Sequence, residues 1–249
     1  MAKKLLAVSF AVITYSTSGY ADDVNKADGQ WRGFINAGGS LASGNTKSKS
    51  VNVSAEATKI TLDDKLHGYV TGLYGTQRDS NGEDKPTANL TRTGGRYDYN
   101  VSPNNFTFGS LDLERDRLQR LSLRSVVAGG VGRHVINTPE KSFDVMTGLT
   151  YNREAFFDDT RNSVELLLAE ESNHKISDSA SFKQRFALMP NLKETGEYRA
   201  QFDASLNLAI TKKIGMQLTA SDRYQSNPLP GIKKNDALFL ASVSYKFGP

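Results

Sequence analysis

The sequence predicts an all-β fold, a transmembrane antiparallel up-and-down β-barrel of about twelve strands set in a bacterial outer membrane. Three observations predict it: an export leader at the start of the chain, long runs alternating apolar and polar residues, and connections that alternate between short and longer.

The leader occupies residues 1–21. Lys3 and Lys4 precede an apolar run from Leu5 to Tyr15, and the small residues Gly19 and Ala21 stand just before Asp22 and Asp23. A basic start, an apolar middle and a small-residue end form the layout of a secretory signal peptide, with cleavage expected after Ala21. The apolar run falls short of the roughly 20 residues that a membrane-spanning helix needs.

Loss of Lys3 and Lys4 takes the basic residues from 31 to 29 against 27 acids, so the mature chain is almost neutral and unlike a nucleic-acid binder. There is no cysteine, which excludes disulfides and thiolate zinc sites. The mean hydropathy of −0.47 is that of an ordinary exported soluble protein. A barrel has such an average too, because only every second residue of each strand faces lipid, so periodicity has to decide.

Residues 22–249 form one barrel domain, with strands expected at 31–43, 47–60, 65–78, 88–101, 104–117, 121–136, 141–154, 161–175, 179–192, 197–210, 213–226 and 236–247. Ten or fourteen strands result if hairpins are merged or split. Period two is clearest from Ala200 to Ile210, where Ala200, Phe202, Ala204, Leu206, Leu208 and Ile210 alternate with Gln201, Asp203, Ser205 and Asn207. The same alternation runs through Phe143, Val145, Leu149 and Tyr151, and through Ile214, Met216, Leu218 and Ala220. Such segments are long for soluble strands but match the roughly 9 to 11 residues that cross a bilayer at a tilt.

Short turns are expected at 62–64, 102–105, 137–140, 177–179 and 211–213, and longer polar loops at 78–88, 117–120, 157–162, 193–197 and 226–235. Outer-membrane barrels keep short turns in the periplasm and longer loops outside, so this asymmetry assigns the topology. Tyr97, Tyr99, Phe143, Tyr245 and Phe247 would then form a girdle at the periplasmic rim, and Tyr151, Tyr198 and Tyr224 one at the outer rim. The last strand presents Ala237, Phe239, Ala241, Val243, Tyr245 and Phe247 on one face. An apolar face closed by an aromatic resembles the signal read by the outer-membrane assembly machinery, with Tyr245 and Phe247 as its carriers. Gly248 and Pro249 after Phe247 depart from that pattern.

Several local sequences, taken in order, resemble one family. Trp31-Arg32-Gly33 opens the first strand, Gly44-Asn45-Thr46 forms the first turn, and Gly94-Gly95-Arg96-Tyr97-Asp98-Tyr99 and Glu114-Arg115-Asp116-Arg117 follow, with Ser244-Tyr245-Lys246-Phe247 at the end. Over residues 29–247 the chain is similar to the YdiY-like, salt-induced outer-membrane proteins, a family of unknown function. The resemblance implies an outer-membrane barrel and a link to salt or osmotic stress, and it supplies no catalytic residue.

Charged residues within the strands are expected to face the lumen, because a charge on the lipid face costs about 2–4 kcal/mol at the midplane. Arg92, Arg96 and Asp98 come from one strand, Asp112 and Glu114 from the next, and Arg124 from the one after. These six are the candidate lumen cluster, given room by Gly94, Gly109, Gly130 and Gly132. They would form either a salt-bridged brace of the wall or a charged constriction of a narrow solute channel.

Other chemistry is sparse. His67, His134 and His174 are the ready general bases, expected as solvated groups at strand ends, and neither a Gly-x-Ser-x-Gly elbow nor a His-Glu-x-x-His signature occurs. No enzyme activity, cofactor or metal is expected. The expected partners are outer-membrane lipid, lipopolysaccharide and the assembly machinery, with the barrel itself a monomer. A soluble periplasmic β-sandwich that binds a carbohydrate or a protein is the alternative, and a lipid-modifying barrel enzyme a weaker one.

Overall fold

The computed structural model describes residues 26–42, 48–79 and 81–249. The leader at 1–21 and the Gly44-Asn45-Thr46 turn lie outside the described residues. Twelve strands follow one another: β1 (Trp31–Ala42), β2 (Ser48–Ile60), β3 (Asp64–Arg78), β4 (Asp84–Ser102), β5 (Asn105–Asp116), β6 (Leu121–Asn137), β7 (Lys141–Phe156), β8 (Thr160–Ser177), β9 (Ala180–Pro190), β10 (Tyr198–Ala209), β11 (Ile214–Gln225) and β12 (Asn235–Phe247). Each pairs antiparallel with its sequence neighbours, and β1 pairs with β12 to close the barrel. Closure leaves no free sheet edge, which is what backbone amides in hydrocarbon require.

The strands form because the two faces alternate. On β10 and β11 the outward side chains Phe202, Ala204 and Leu206 stand opposite Asp222, Ala220 and Leu218, while the inward Asp203, Ser205 and Asn207 stand opposite Ser221, Thr219 and Gln217. Ile35, Val51, Val53, Val70, Val127, Val131, Leu149, Phe239 and Val243 are exposed on the outer wall. In water so continuous an apolar surface would be an aggregation liability, and in a bilayer it is the solvated one.

The expected turns recur as two- to four-residue connections at one end, and the loops at the other end run to nine residues at 226–234. The largest departure is β4, which begins at Asp84 rather than near 88, so that the β3–β4 loop shrinks to 79–83. The hairpin absorbs Pro86 through a register shift at Gly75/Thr76. In that loop the Lys85 ammonium, 2.7 Å from Asp79, holds the Asp79 carboxyl below its usual range. Ahead of β1, Asp28 accepts from both Nη atoms of Arg32, and this pairing holds its carboxyl well below the usual carboxylate range.

The girdles lie where the topology puts them. Trp31, Tyr97, Tyr99 and Tyr245 are exposed at the turn end, and Tyr74, Tyr151 and Tyr198 at the loop end, where Tyr198 stacks on Tyr224 with centroids 5.2 Å apart. The seam is the shortest ladder, five pairs from Gly33↔Phe247 to Ala37↔Val243. Phe247 takes part in it, with its ring over Gly33, where a Cβ would come within 2.6 Å of Cζ.

Candidate functional site

Residues two apart on a strand share a face, so Arg92, Arg96 and Asp98 of β4 point to one side. Register brings Glu114 of β5 opposite Arg92, Asp112 opposite Gly94, and Arg124 of β6 opposite Glu114. All six candidate residues point into the lumen.

They divide into two layers. Nearer the loops, Arg92 Nε donates to Glu114 Oε2 at 2.9 Å, and Arg124 Nη1 donates to Glu114 Oε1 at 3.2 Å. Arg124 also donates through Nε to Glu154 Oε1 of β7 at 2.9 Å, and through Nη2 to Gln225 Oε1 of β11 at 3.4 Å. Nearer the turns, Arg96 grips Asp98 with two 2.8 Å bonds and reaches Glu171 Oε2 of β8 at 2.8 Å. Asp112 joins neither layer; it accepts from the Tyr69 hydroxyl at 2.7 Å.

Some of these contacts run along the wall and others across the hole. Arg92–Glu114 and Arg124–Glu154 link adjacent strands. Arg96–Glu171 links strands four apart around the ring, and Arg124–Gln225 links strands five apart, close to a diameter of a twelve-strand barrel. Lys183 of β9 and Glu56 of β2, 3.8 Å apart, also bridge strands five apart. Wall pairs fix strand geometry, whereas the crossing pairs occupy the space that a solute would need.

Sequence reasoning missed Glu154, Glu171, Lys183, Glu56 and the pairs Glu165–Arg199 and Asp203–Arg223, the last two with contacts of 2.6 and 2.8 Å. The expectation that strand charges face the lumen also left out an apolar part of its lining. Phe106, Phe108, Met146, Leu167, Ala187 and Met189 form a buried apolar cluster on the inner wall between β5 and β9. The glycines serve that cluster more than the charges. A Cβ on Gly132 would lie 2.2 Å from the Phe106 ring, and one on Gly130 3.0 Å from Phe108. Gly94 does make room for Asp112, 2.3 Å from its ideal Cβ, but Gly109 lies on the outer wall opposite Tyr97 and makes no room inside.

At the loop end a recess open to solvent is lined by Arg124, Arg199, Arg223, Lys233 and Lys234, with the acids Glu114 and Asp236 among them. Arg185 of β9 is the one inward arginine, among the described residues, whose guanidinium contacts no carboxylate; its Nε is buried with no hydrogen-bond partner.

The inward placement of strand charges has exceptions. Glu170 lies on the outer wall, with Gln184 Nε2 donating to it at 2.5 Å, and Arg115, Arg133 and Arg153 also point outward. The three arginines sit towards strand ends, where the cost of a lipid-facing charge falls to about 0–1 kcal/mol.

Two histidines differ from the solvated groups expected. His67 is half-buried and shares a 2.9 Å hydrogen bond with Thr58 Oγ1. His134 is held between Asp144, at 2.7 Å, and Asn100, at 3.3 Å, and stacks on Phe106. The described residues contain no group of three His, Cys, Asp or Glu placed to hold a metal ion.

Against known proteins, residues 35–247 match the profile of DUF481, described as a protein of unknown function. The uncharacterized protein YdiY of Escherichia coli K12 is 25% identical over 210 residues, covering 83% of this chain and 79% of that protein. Among solved structures, the translocator domain of the autotransporter NalP from Neisseria meningitidis superposes with a TM-score of 0.49 at 12% identity, over 91% of this chain and 90% of that one. The NanC porin gives 0.47 at 9% identity, over 87% and 96%. The barrel described above stands on its own strand pairing, independently of these two likenesses.

Proposed function

We propose, from the premise that this chain belongs to the DUF481 family, that it is a structural barrel of the outer membrane whose lumen is held closed by its own side chains. The carrying observation is the set of crossing contacts, Arg96–Glu171, Lys183–Glu56 and Arg124–Gln225, which join strands four or five apart. An open porin keeps its charged rings apart, whereas here opposite charges meet across the interior. The outward apolar wall and the two girdles support the membrane setting, and the longer loops support an outer face for that end.

A second reading, a narrow passage for small anions, is favoured by the largely basic recess at the loop end and by Arg185, whose guanidinium contacts no carboxylate among the described residues. Salt bears on both. The Lys183–Glu56 side chains keep 32% and 25% exposure, so raised ionic strength screens this bridge more than the buried Arg124–Glu154 pair. That gives the resemblance to salt-induced proteins a physical form. No catalytic role is proposed: His134 is held by a carboxylate and an amide, and His67, which meets the Thr58 hydroxyl, has no second group among the described residues that orients its other ring nitrogen.

Planar-bilayer recording decides between these readings. A silent barrel at moderate salt is expected. Small anion-selective steps would instead favour the narrow passage, and steps as large as those of a sixteen-stranded porin recorded alongside would sink both.

A further inference from the structure

We propose that Arg115 and Arg153, on the outer wall at the loop end, form a site for the phosphate groups of lipid A, the phosphorylated glycolipid of the outer leaflet. This rests on the outer-membrane reading above and goes beyond it by assigning the residues.

The two arginines flank β6. Arg153 of β7 faces Ser125 in the register, and Arg115 of β5 lies on the opposite side of β6, beside the shift between Glu114 and Asp116. Two strand spacings, about 10 Å, separate β5 from β7, so long side chains from both can converge over Ser125. Both arginines are exposed, and neither guanidinium has a hydrogen bond or ion pair among the described residues. The contrast with the interior is direct: Arg92, Arg96, Arg124, Arg199 and Arg223 each hold a carboxylate.

Among the described residues no acid shares that part of the wall. The outward residues around the pair are Thr91, Leu113, Leu123, Ser125, Tyr151 and Asn162, and the nearby loop acids Asp158 and Asp159 are taken by Arg120 and Arg161. Tyr151, one outward position below Arg153, marks the height of the girdle, and its hydroxyl donates to Asn162 at 3.3 Å. The guanidinium groups therefore lie at the depth of lipid headgroups. A planar fork matches phosphate oxygens in pairs, and a charge-assisted hydrogen bond strengthens where water is partly excluded. This stretch of wall from β5 to β7, with two cations and no acid among the described residues, complements a leaflet whose headgroups carry two phosphates per molecule.

The test is native mass spectrometry of the folded, detergent-purified chain titrated with lipid A, with phosphatidylglycerol and inorganic phosphate as comparators. The double variant Arg115→Gln, Arg153→Gln should lose lipid A by about ten-fold or more at roughly 0.1 M salt, while Arg117→Gln, a loop arginine without an ion pair, should keep it. Heat-modifiable gel mobility establishes that each variant is folded. Wild-type affinity in the double variant overturns the proposal, as does equal displacement by phosphatidylglycerol or free phosphate, which would mark a general anion patch. Density-gradient fractionation of cells reads the membrane assignment separately. Banding away from the outer membrane would sink that reading while the titration still reports on the site.

Discussion

Replacing Arg124 by leucine should destabilise the barrel by about 3–5 kcal/mol, the cost of leaving a buried charge without its partner. Arg124 keeps only 10% exposure and lies between Glu114 and Glu154, whose side chains keep 13% and 3%. Glu114 retains Arg92 after the change, but Glu154 loses its only ion pair among the described residues. The penalty should therefore fall on Glu154, and Arg124→Leu with Glu154→Leu should recover most of it, since exchanging a whole buried pair for apolar groups is close to neutral. Guanidinium unfolding in detergent micelles, followed by the fluorescence of the lone Trp31 and by gel mobility, measures both variants. An Arg124→Leu barrel within about 1 kcal/mol of wild type would mean that this layer contributes little.

The second large effect concerns permeability. Arg96→Ala with Glu171→Ala removes the bridge between β4 and β8 and should turn a silent barrel into one with discrete conductance steps. The control is a pair of similar chemistry on adjacent strands: Arg223→Gln with Asp203→Asn breaks a contact between β10 and β11 that runs along the wall. Stability loss alone would affect both variants, whereas opening of the lumen belongs to the first. Equal silence, or equal leakage, in the two would show that the crossing contacts do not close the interior.

The strand plan was readable from the sequence wherever a strand crosses lipid, because hydrocarbon on one side and charge on the other enforce period two. Phe202 to Leu208 shows this, and β10 begins and ends within a residue of expectation. Outside the bilayer that demand lapses. Asp84 to Thr87 therefore carry no alternation, include Pro86, and read as loop, although hydrogen bonding to β3 extends the hairpin through them.

The candidate cluster was partly legible for a similar reason. Arg92, Arg96, Asp98, Asp112, Glu114 and Arg124 alternate with glycine, tyrosine and leucine on three consecutive strands, so their shared face follows from register between neighbours. Glu171 and Glu165 lie on β8 around Leu166-Leu167-Leu168-Ala169, where both faces are apolar and parity cannot be read. The lumen-crossing contacts were beyond reach altogether. Which residues of β4 and β8, or β2 and β9, meet across the interior depends on strand tilt and stagger around the whole ring, a closure property that no pair of neighbouring strands carries.

The most direct measurement uses the absence of cysteine from the chain. Single cysteines at 201 through 208 carry a nitroxide, and its relaxation by oxygen, which concentrates in hydrocarbon, is compared with that by a water-soluble nickel complex. Phe202, Ala204, Leu206 and Leu208 should relax with oxygen, and Gln201, Asp203, Ser205 and Asn207 should not, in strict alternation. A flat profile, or one with the two sets exchanged, would contradict a wall that turns its apolar side chains to lipid and its charges inward.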